Sequence, residues 1–151
     1  MGLISIRDYR EADWARLQAI HDAARMDELR LAGLAPAFVP LSEAAQREGL
    51  FEYVLRVAEL DGTAAGFAAF TQDELAWLYV DPALSRRGVG RALVEDALER
   101  MERPVSIEVL EGNEPALELY RSCGFREAET ASGQMPGNEE FSVTCRILRL
   151  D

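Results

Sequence analysis

Between Leu3 and Tyr9 apolar and polar residues alternate, with Ile4 and Ile6 set against Ser5 and Arg7, and that period of two predicts a half-buried strand. The period then lengthens. From Glu11 to about Leu31 the apolar positions Trp14, Leu17, Ile20, Ala24, Leu29 and Leu31 recur at near-helical spacing behind the acidic Glu11 and Asp13, which predicts a helix. Gly33 and Pro36 end it, Ala32 to Leu41 reads as a loop, and Ser42 with Glu43 starts a short helix running to about Glu48. Strand spacing returns over Glu52 to Leu60 and Thr63 to Thr71, with Asp61-Gly62 as the hairpin turn between them. Glu74 to Val80 adds a third strand to this meander.

After Gly88 the apolar residues Leu93, Val94, Ala97, Leu98 and Met101 fall on one helical face, and Arg91, Glu95, Asp96, Glu99 and Arg100 on the other. Pro104 to Leu110 reads as a strand through Val105, Ile107 and Val109. A helix then runs from Asn113 to Cys123, with Asn113 as N-cap, Pro115 in the first turn and Gly124 as the left-handed stop. Two last strands, Phe125 to about Ala131 and Phe141 to Leu150, are joined by a loop over Gly133 to Glu140. The predicted fold is α/β: a single domain over residues 1–151 with a mixed, mostly antiparallel sheet of six to seven strands, flanked by about four helices on both faces.

Composition narrows the partners. The chain has 151 residues, 48% of them hydrophobic, which suits one globular core and is too short for two. Its 16 basic and 27 acidic residues give a net charge of −11, which disfavours nucleic acid and anionic membrane surfaces as partners. No apolar run is long enough to cross a membrane and no secretory core is present, so a soluble, cytoplasmic protein is expected. Cys123 and Cys145 read as reduced, small core residues, and with the lone His21 they offer no metal-ligand spacing.

Against the acidic background, Arg86-Arg87-Gly88-Val89-Gly90-Arg91 stands out at the point where a strand passes into a helix. Glycine lets the backbone bend and an oxygen-rich ligand approach the amides, and the helix N-terminus adds positive potential, so the turn reads as a phosphate site. Other phosphate turns do not fit. A P-loop needs Gly-Lys-Ser/Thr, and the dinucleotide fingerprint needs a small residue where Leu93 stands.

The window from Val80-Asp81-Pro82 to Leu93 resembles the acyl-CoA loop of the GNAT acetyltransferase superfamily, Gln/Arg-x-x-Gly-x-Gly/Ala after a strand ending in Val-x-Pro. Ser85 is the departure from that pattern: it replaces the usual Gln or Arg, and is expected to weaken the phosphate contact without abolishing it. Asn113, Ala116, Tyr120, Gly124 and Phe125 match the superfamily's second block, Asn-x-x-Ala-x-x-x-Tyr-x-x-x-Gly-Phe. The resemblance covers most of the chain, is strongest from Leu78 to Phe125, and implies acetyl-CoA as co-substrate. Its pyrophosphate would be held by Arg86, Arg87, Gly88, Val89, Gly90 and Arg91, chiefly through backbone amides. Its pantetheine arm would lie along Leu78, Tyr79 and Val80, on a strand that diverges from its neighbour.

Transfer to an amine sets further demands. An amine titrating at about 10 is mostly protonated at neutral pH, so a base must take its proton, and the departing thiolate gains from an acid. In the family the tyrosine matching Tyr120 serves as that acid. Glu108 is the candidate base: it alternates to the side opposite Ile107 and Val109, and its spacing to Asn113 and Tyr120 is similar to that in bacterial ribosomal-protein N-terminal acetyltransferases. Glu74 is a second candidate. Asn113 is read as a cofactor or substrate contact as well as a cap. Trp77 and Tyr79 share a face and are either core or acceptor-pocket lining. The acceptor, a protein amine or a small molecule, is left open, with Arg25, Met26, Arg30, Phe38 and Gln134 in the regions that would shape its site. A non-catalytic acyl-CoA-binding module is the alternative, and dimerisation is common in the family.

Overall fold

Among residues 2–151, which the computed structural model describes, seven strands and four α-helices follow one another in the predicted order. These are β1 (Ile4–Asp8), α1 (Trp14–Leu31), α2 (Leu41–Arg47), β2 (Val54–Leu60), β3 (Thr63–Phe70), β4 (Leu75–Val80), α3 (Val89–Arg100), β5 (Val105–Leu110), α4 (Glu114–Ser122), β6 (Arg126–Met135) and β7 (Asn138–Leu150). The strands form two antiparallel sheets, β1-β2-β3-β4 and β5-β7-β6. They meet at a parallel bridge between Glu74 and Ser106, reinforced by Ser106 N donating to Asp73 O at 2.8 Å. Beyond that bridge β4 and β5 diverge.

Alternation along the strands explains the layers. One face of the first sheet packs Ala58, Ala65 and Phe70 against Val89, Leu93 and Val94 of α3 and Leu117 of α4. The other packs Val57, Phe67 and Trp77 against Leu17 and Ile20 of α1 and Leu41 of α2. The mixed α/β sheet with helices on both faces is therefore present. Its seven strands are divided between two sheets that splay apart.

Several boundaries differ from the sequence pattern by a few residues, α1 beginning at Trp14 and β2 at Val54, and two of the differences have a clear cause. The segment read as a loop from Gly133 to Glu140 is mostly paired: β6 and β7 continue to Met135 and from Asn138, leaving only Pro136-Gly137 to turn. β6 is an edge strand exposed along nearly its whole length, so it carries no apolar alternation to betray it. The short helix α2 begins at Leu41, one residue before Ser42, because Asp22 of α1 reaches across to accept the Leu41 N–H at 2.9 Å.

A small third cluster, Leu29, Ala37, Leu110, Met135 and Val143, fastens the end of α1 to the second sheet. Gly112, between β5 and α4, makes this approach feasible. It has φ of 102°, and a Cβ there would stand 2.7 Å from Leu31 O. Gly112→Ala is expected to lower stability by about 2 kcal/mol, read from the urea midpoint, because strain and backbone collision act together.

Candidate active site

The turn between β4 and α3 is built to face an anion. Asp81 caps the short helical turn Pro82–Leu84 by accepting Ala83 N–H at 2.9 Å, and its other oxygen holds Arg16 at 2.6 Å. The chain then turns through left-handed conformations at Arg86 (φ 61°) and Gly88 (φ 85°). Among the described residues, the N–H groups from Arg86 through Arg91 find no acceptor in the protein, and Gly88 supplies no side-chain cap to α3. These amides and the helix N-terminus converge as a concave donor nest. Arg86 and Arg87 lie exposed beside it, whereas Arg91 is directed towards α4, where it donates to Ser122 Oγ at 2.6 Å. A Cβ on Gly90 would come 3.1 Å from Leu119, so this glycine also permits close packing of α3 on α4.

The strand entering this turn has a free edge. Asp81 N donates to Ala65 O, and the antiparallel alternation then commits the backbone of Tyr79 and Trp77 to β3. Leu78 and Val80 accordingly direct their N–H and C=O groups into the gap facing β5. Of the three residues named for the pantetheine arm, these two can offer backbone to a ligand and Tyr79 offers its side chain.

A cavity of about 170 Å³ opens at the gap, lined from α1, α2, β4, β5, α4 and the β6–β7 turn. It brings together Leu78, Tyr79, Glu108, Asn113 and Tyr120, while the arginine-glycine turn lies outside it. Tyr120 is 5% exposed, packs edge-on against Phe125 at 5.9 Å, and has no hydrogen-bond partner among the described residues. Burial, then the charge of Glu28 and the neighbouring Tyr79 and Cys123, push its phenol well above the ordinary range. It is therefore a protonated donor at neutral pH. Asn113 caps α4 by accepting Ala116 N–H at 3.4 Å and donates its amide to Glu28 at 3.2 Å.

Glu108 is exposed at the cavity rim, on the side of β5 opposite the buried Ile107 and Val109. Glu74 lies at the bridge, outside the cavity lining, and burial together with Glu108 and Asp73 raises its pKa. Trp77 and Tyr79 are both core and lining, packed against His21 at ring separations of 6.1 and 4.8 Å. Of the residues read as shaping the acceptor region, Arg25 lines the cavity. Phe38 packs beside it in the third cluster, and Met26, Arg30 and Gln134 lie outside the lining.

Three cavity residues were not legible as such. His21 is 2% exposed, held by Asp22 through Nδ1 at 2.9 Å, and burial lowers its pKa, so it is a neutral imidazole. Glu28 pairs with Arg25 and Asn113. Glu48, just past α2, is pushed up to about 7 by burial, with Arg25 opposing and Glu139 adding to the rise. Helical spacing places His21, Arg25 and Glu28 along one stripe of α1, a signal available in the sequence. Glu48 had none, because its place depends on the distant β6–β7 turn.

The family model for the acetyltransferase (GNAT) family matches residues 7–125. The [ribosomal protein bS18]-alanine N-acetyltransferase of Escherichia coli (strain K12) is 38% identical over 61 residues, covering 38% of this chain and 41% of that protein. The chain spans 37%, 51% and 41% of the lengths of three curated relatives it matches. Among solved structures, a GCN5-related N-acetyltransferase from Rhodopseudomonas palustris superposes with a TM-score of 0.74 at 24% identity, covering 97% of this chain and 95% of that one. Salmonella typhimurium yncA, solved with its cofactor acetyl-CoA, superposes with a TM-score of 0.68 at 19% identity, covering 98% and 93%. At these identities the structural likenesses establish the fold alone.

Glu48 makes a pH prediction. Its folded pKa lies above the unfolded carboxylate value, so the folded state holds the proton more tightly. The stability this contributes is complete below about pH 4.5 and is lost as pH rises to about 7. Glu48→Gln is expected to remove this loss, making the variant more stable than wild type at pH 7.5 by on the order of 2 kcal/mol and little different at pH 4.5. Urea denaturation at the two pH values measures it.

Proposed function

The chain belongs to the GNAT acetyltransferase family, and on that basis we propose that it moves an acetyl group from acetyl-CoA directly to a primary amine. The observation that carries this reading is the buried, protonated Tyr120 in a cavity that opens on the free edge of β4. The donor nest at Arg86 to Arg91 suits the pyrophosphate, with Arg86 and Arg87 adding positive charge. Leu78 and Val80 suit the amide-bearing pantetheine arm by adding a strand-like partner to β4.

The chemistry then divides among the chain's own residues. Glu108 takes a proton from the ammonium, through an ordered water where the distance requires it, and the freed lone pair attacks the thioester carbonyl. A C–N bond forms and the carbonyl oxygen gains charge, which N–H groups on the β4 edge can stabilise. The C–S bond breaks as the intermediate collapses, and Tyr120 gives its proton to the departing thiolate. The N-protonated amide gives up one proton to solvent and keeps its single N–H, while Tyr120 regains a proton from solvent and Glu108 releases the one it took. Glu74 takes the place of Glu108 if the water path runs towards the bridge. No covalent enzyme intermediate is required.

Tyr120→Phe keeps the ring packing and removes the hydroxyl. It is expected to lower kcat about a hundredfold while leaving the KM for acetyl-CoA within about threefold, measured by thiol release with an amine panel. Unchanged kcat would remove Tyr120 from the acid role. Tight CoA binding with no amine turned over by the wild-type protein would instead identify a non-catalytic acyl-CoA-binding module.

A further inference from the structure

The acceptor side of the cavity carries more negative charge than acetyl transfer itself requires. Glu28, Glu48 and Glu108 line it against the single guanidinium of Arg25. Arg25 is already committed: it is ion-paired with Glu28, and its Nη2 lies 3.7 Å from Met135 Sδ. Glu28 in turn accepts from Asn113. No N–H or O–H among the described residues donates to the carboxylate of Glu48 or of Glu108, and of these two Glu108 is exposed at the rim whereas Glu48 is half-buried.

Glu48 also stands apart from the reacting end. It abuts the β6–β7 turn, where a Cβ on Gly137 would come within 3.0 Å of Glu48 Oε2, whereas Glu28 is the carboxylate that Tyr120 feels most strongly. One cavity thus has Tyr120 at one end and an unpartnered carboxylate at the other.

The Glu48 end lies against the β6–β7 turn. Arg47 of α2 donates to Gly137 O at 2.8 Å and Asn138 donates to Ala37 O at 2.9 Å, so the turn is tied at its β7 end to α2 and to the segment before it. Leu29, Ala37, Met135 and Val143 pack beneath these ties. A peptide acceptor needs an open path for its chain to leave. A cavity of about 170 Å³ with the β6–β7 turn tied down at this end narrows that path, and it suits a short aliphatic molecule.

Building on the acetyl-transfer reading, we propose that the acceptor is a small aliphatic amine bearing a second ammonium group, and that Glu48 holds the far cation while the near amine reacts beside Tyr120. A carboxylate partly withdrawn from water gains from a cation that meets it, and a bound ammonium supplies that partner. The same environment disfavours acceptors with a free carboxylate, since Arg25 is already ion-paired with Glu28 and the other charged groups lining the cavity are carboxylates.

The test is steady-state acetyl-CoA turnover by the full chain against 1,4-diaminobutane, butylamine, 4-aminobutanoate, a peptide with N-terminal alanine and a peptide with an internal lysine. The expected kcat/KM is highest for the diamine, at least about tenfold above butylamine, with the difference carried by KM. Glu48→Gln is expected to shrink the diamine-to-butylamine ratio about tenfold. Equal values for diamine and butylamine, a preference for either peptide, or a ratio untouched by Glu48→Gln overturns the assignment and leaves acetyl transfer standing. Turnover of none of the five, with CoA still bound, overturns the acetyl-transfer reading itself.

Discussion

The divergence of β4 from β5 is the constraint on which the rest of the molecule depends. A single bridge at Glu74 and Ser106 joins two sheets that elsewhere share no strand, and past it each strand pairs on one side only. A free strand edge inside a protein leaves backbone donors and acceptors without partners, an arrangement that persists only where water or a ligand can reach them. Here the gap opens into the cavity, so the edge is accessible. The surrounding layers keep it from closing. α3 and α4 are anchored to one face by a large apolar cluster, α1 and α2 to the other, and a third cluster ties α1 to the second sheet.

Charge is distributed along this gap in a way that the net charge of −11 conceals. At the α3 end, unpaired amides and exposed guanidiniums make a positive rim. At the α1–α2 end Glu28 and Glu48, with Glu108 at the rim on β5, make a negative lining that Arg25 partly offsets. An anionic donor and a cationic acceptor would thus be drawn to opposite ends of one passage, with Tyr120 between them. Burial serves both ends: it keeps the Tyr120 phenol protonated and holds the Glu48 carboxyl near its titration point at about 7.

Most of the fold, and the turn proposed to bind the donor, could be read because they are local. Period-two and period-3.6 runs marked the strands and helices, and the glycines at 88 and 90 marked a turn whose chemistry is largely backbone. Asn113, Tyr120 and Glu108 were singled out by the resemblance of a strand and the helix after it to the GNAT pattern, and the fold brings the three to one cavity. The acceptor half was not readable in the same way. Glu48 meets Gly137 across a large stretch of chain, and β6 is too exposed to show a pattern, so the strand pairing that leads into the cavity-lining turn carries no signal in the sequence. The splitting of the strands between two sheets likewise rests on long-range packing rather than on any one segment.

The central claim is that the β4 edge and the turn leading into α3 form one binding surface for an acyl-CoA. Amide hydrogen exchange, followed residue by residue with and without saturating CoA, tests it most directly. Slowed exchange at Leu78 and Val80 together with the amides of Arg86 through Arg91 is the predicted result. With pantetheine, which lacks the pyrophosphate, only the β4 amides should slow. CoA binding that protects neither segment, or protects residues outside the gap between β4 and β5, would contradict the account.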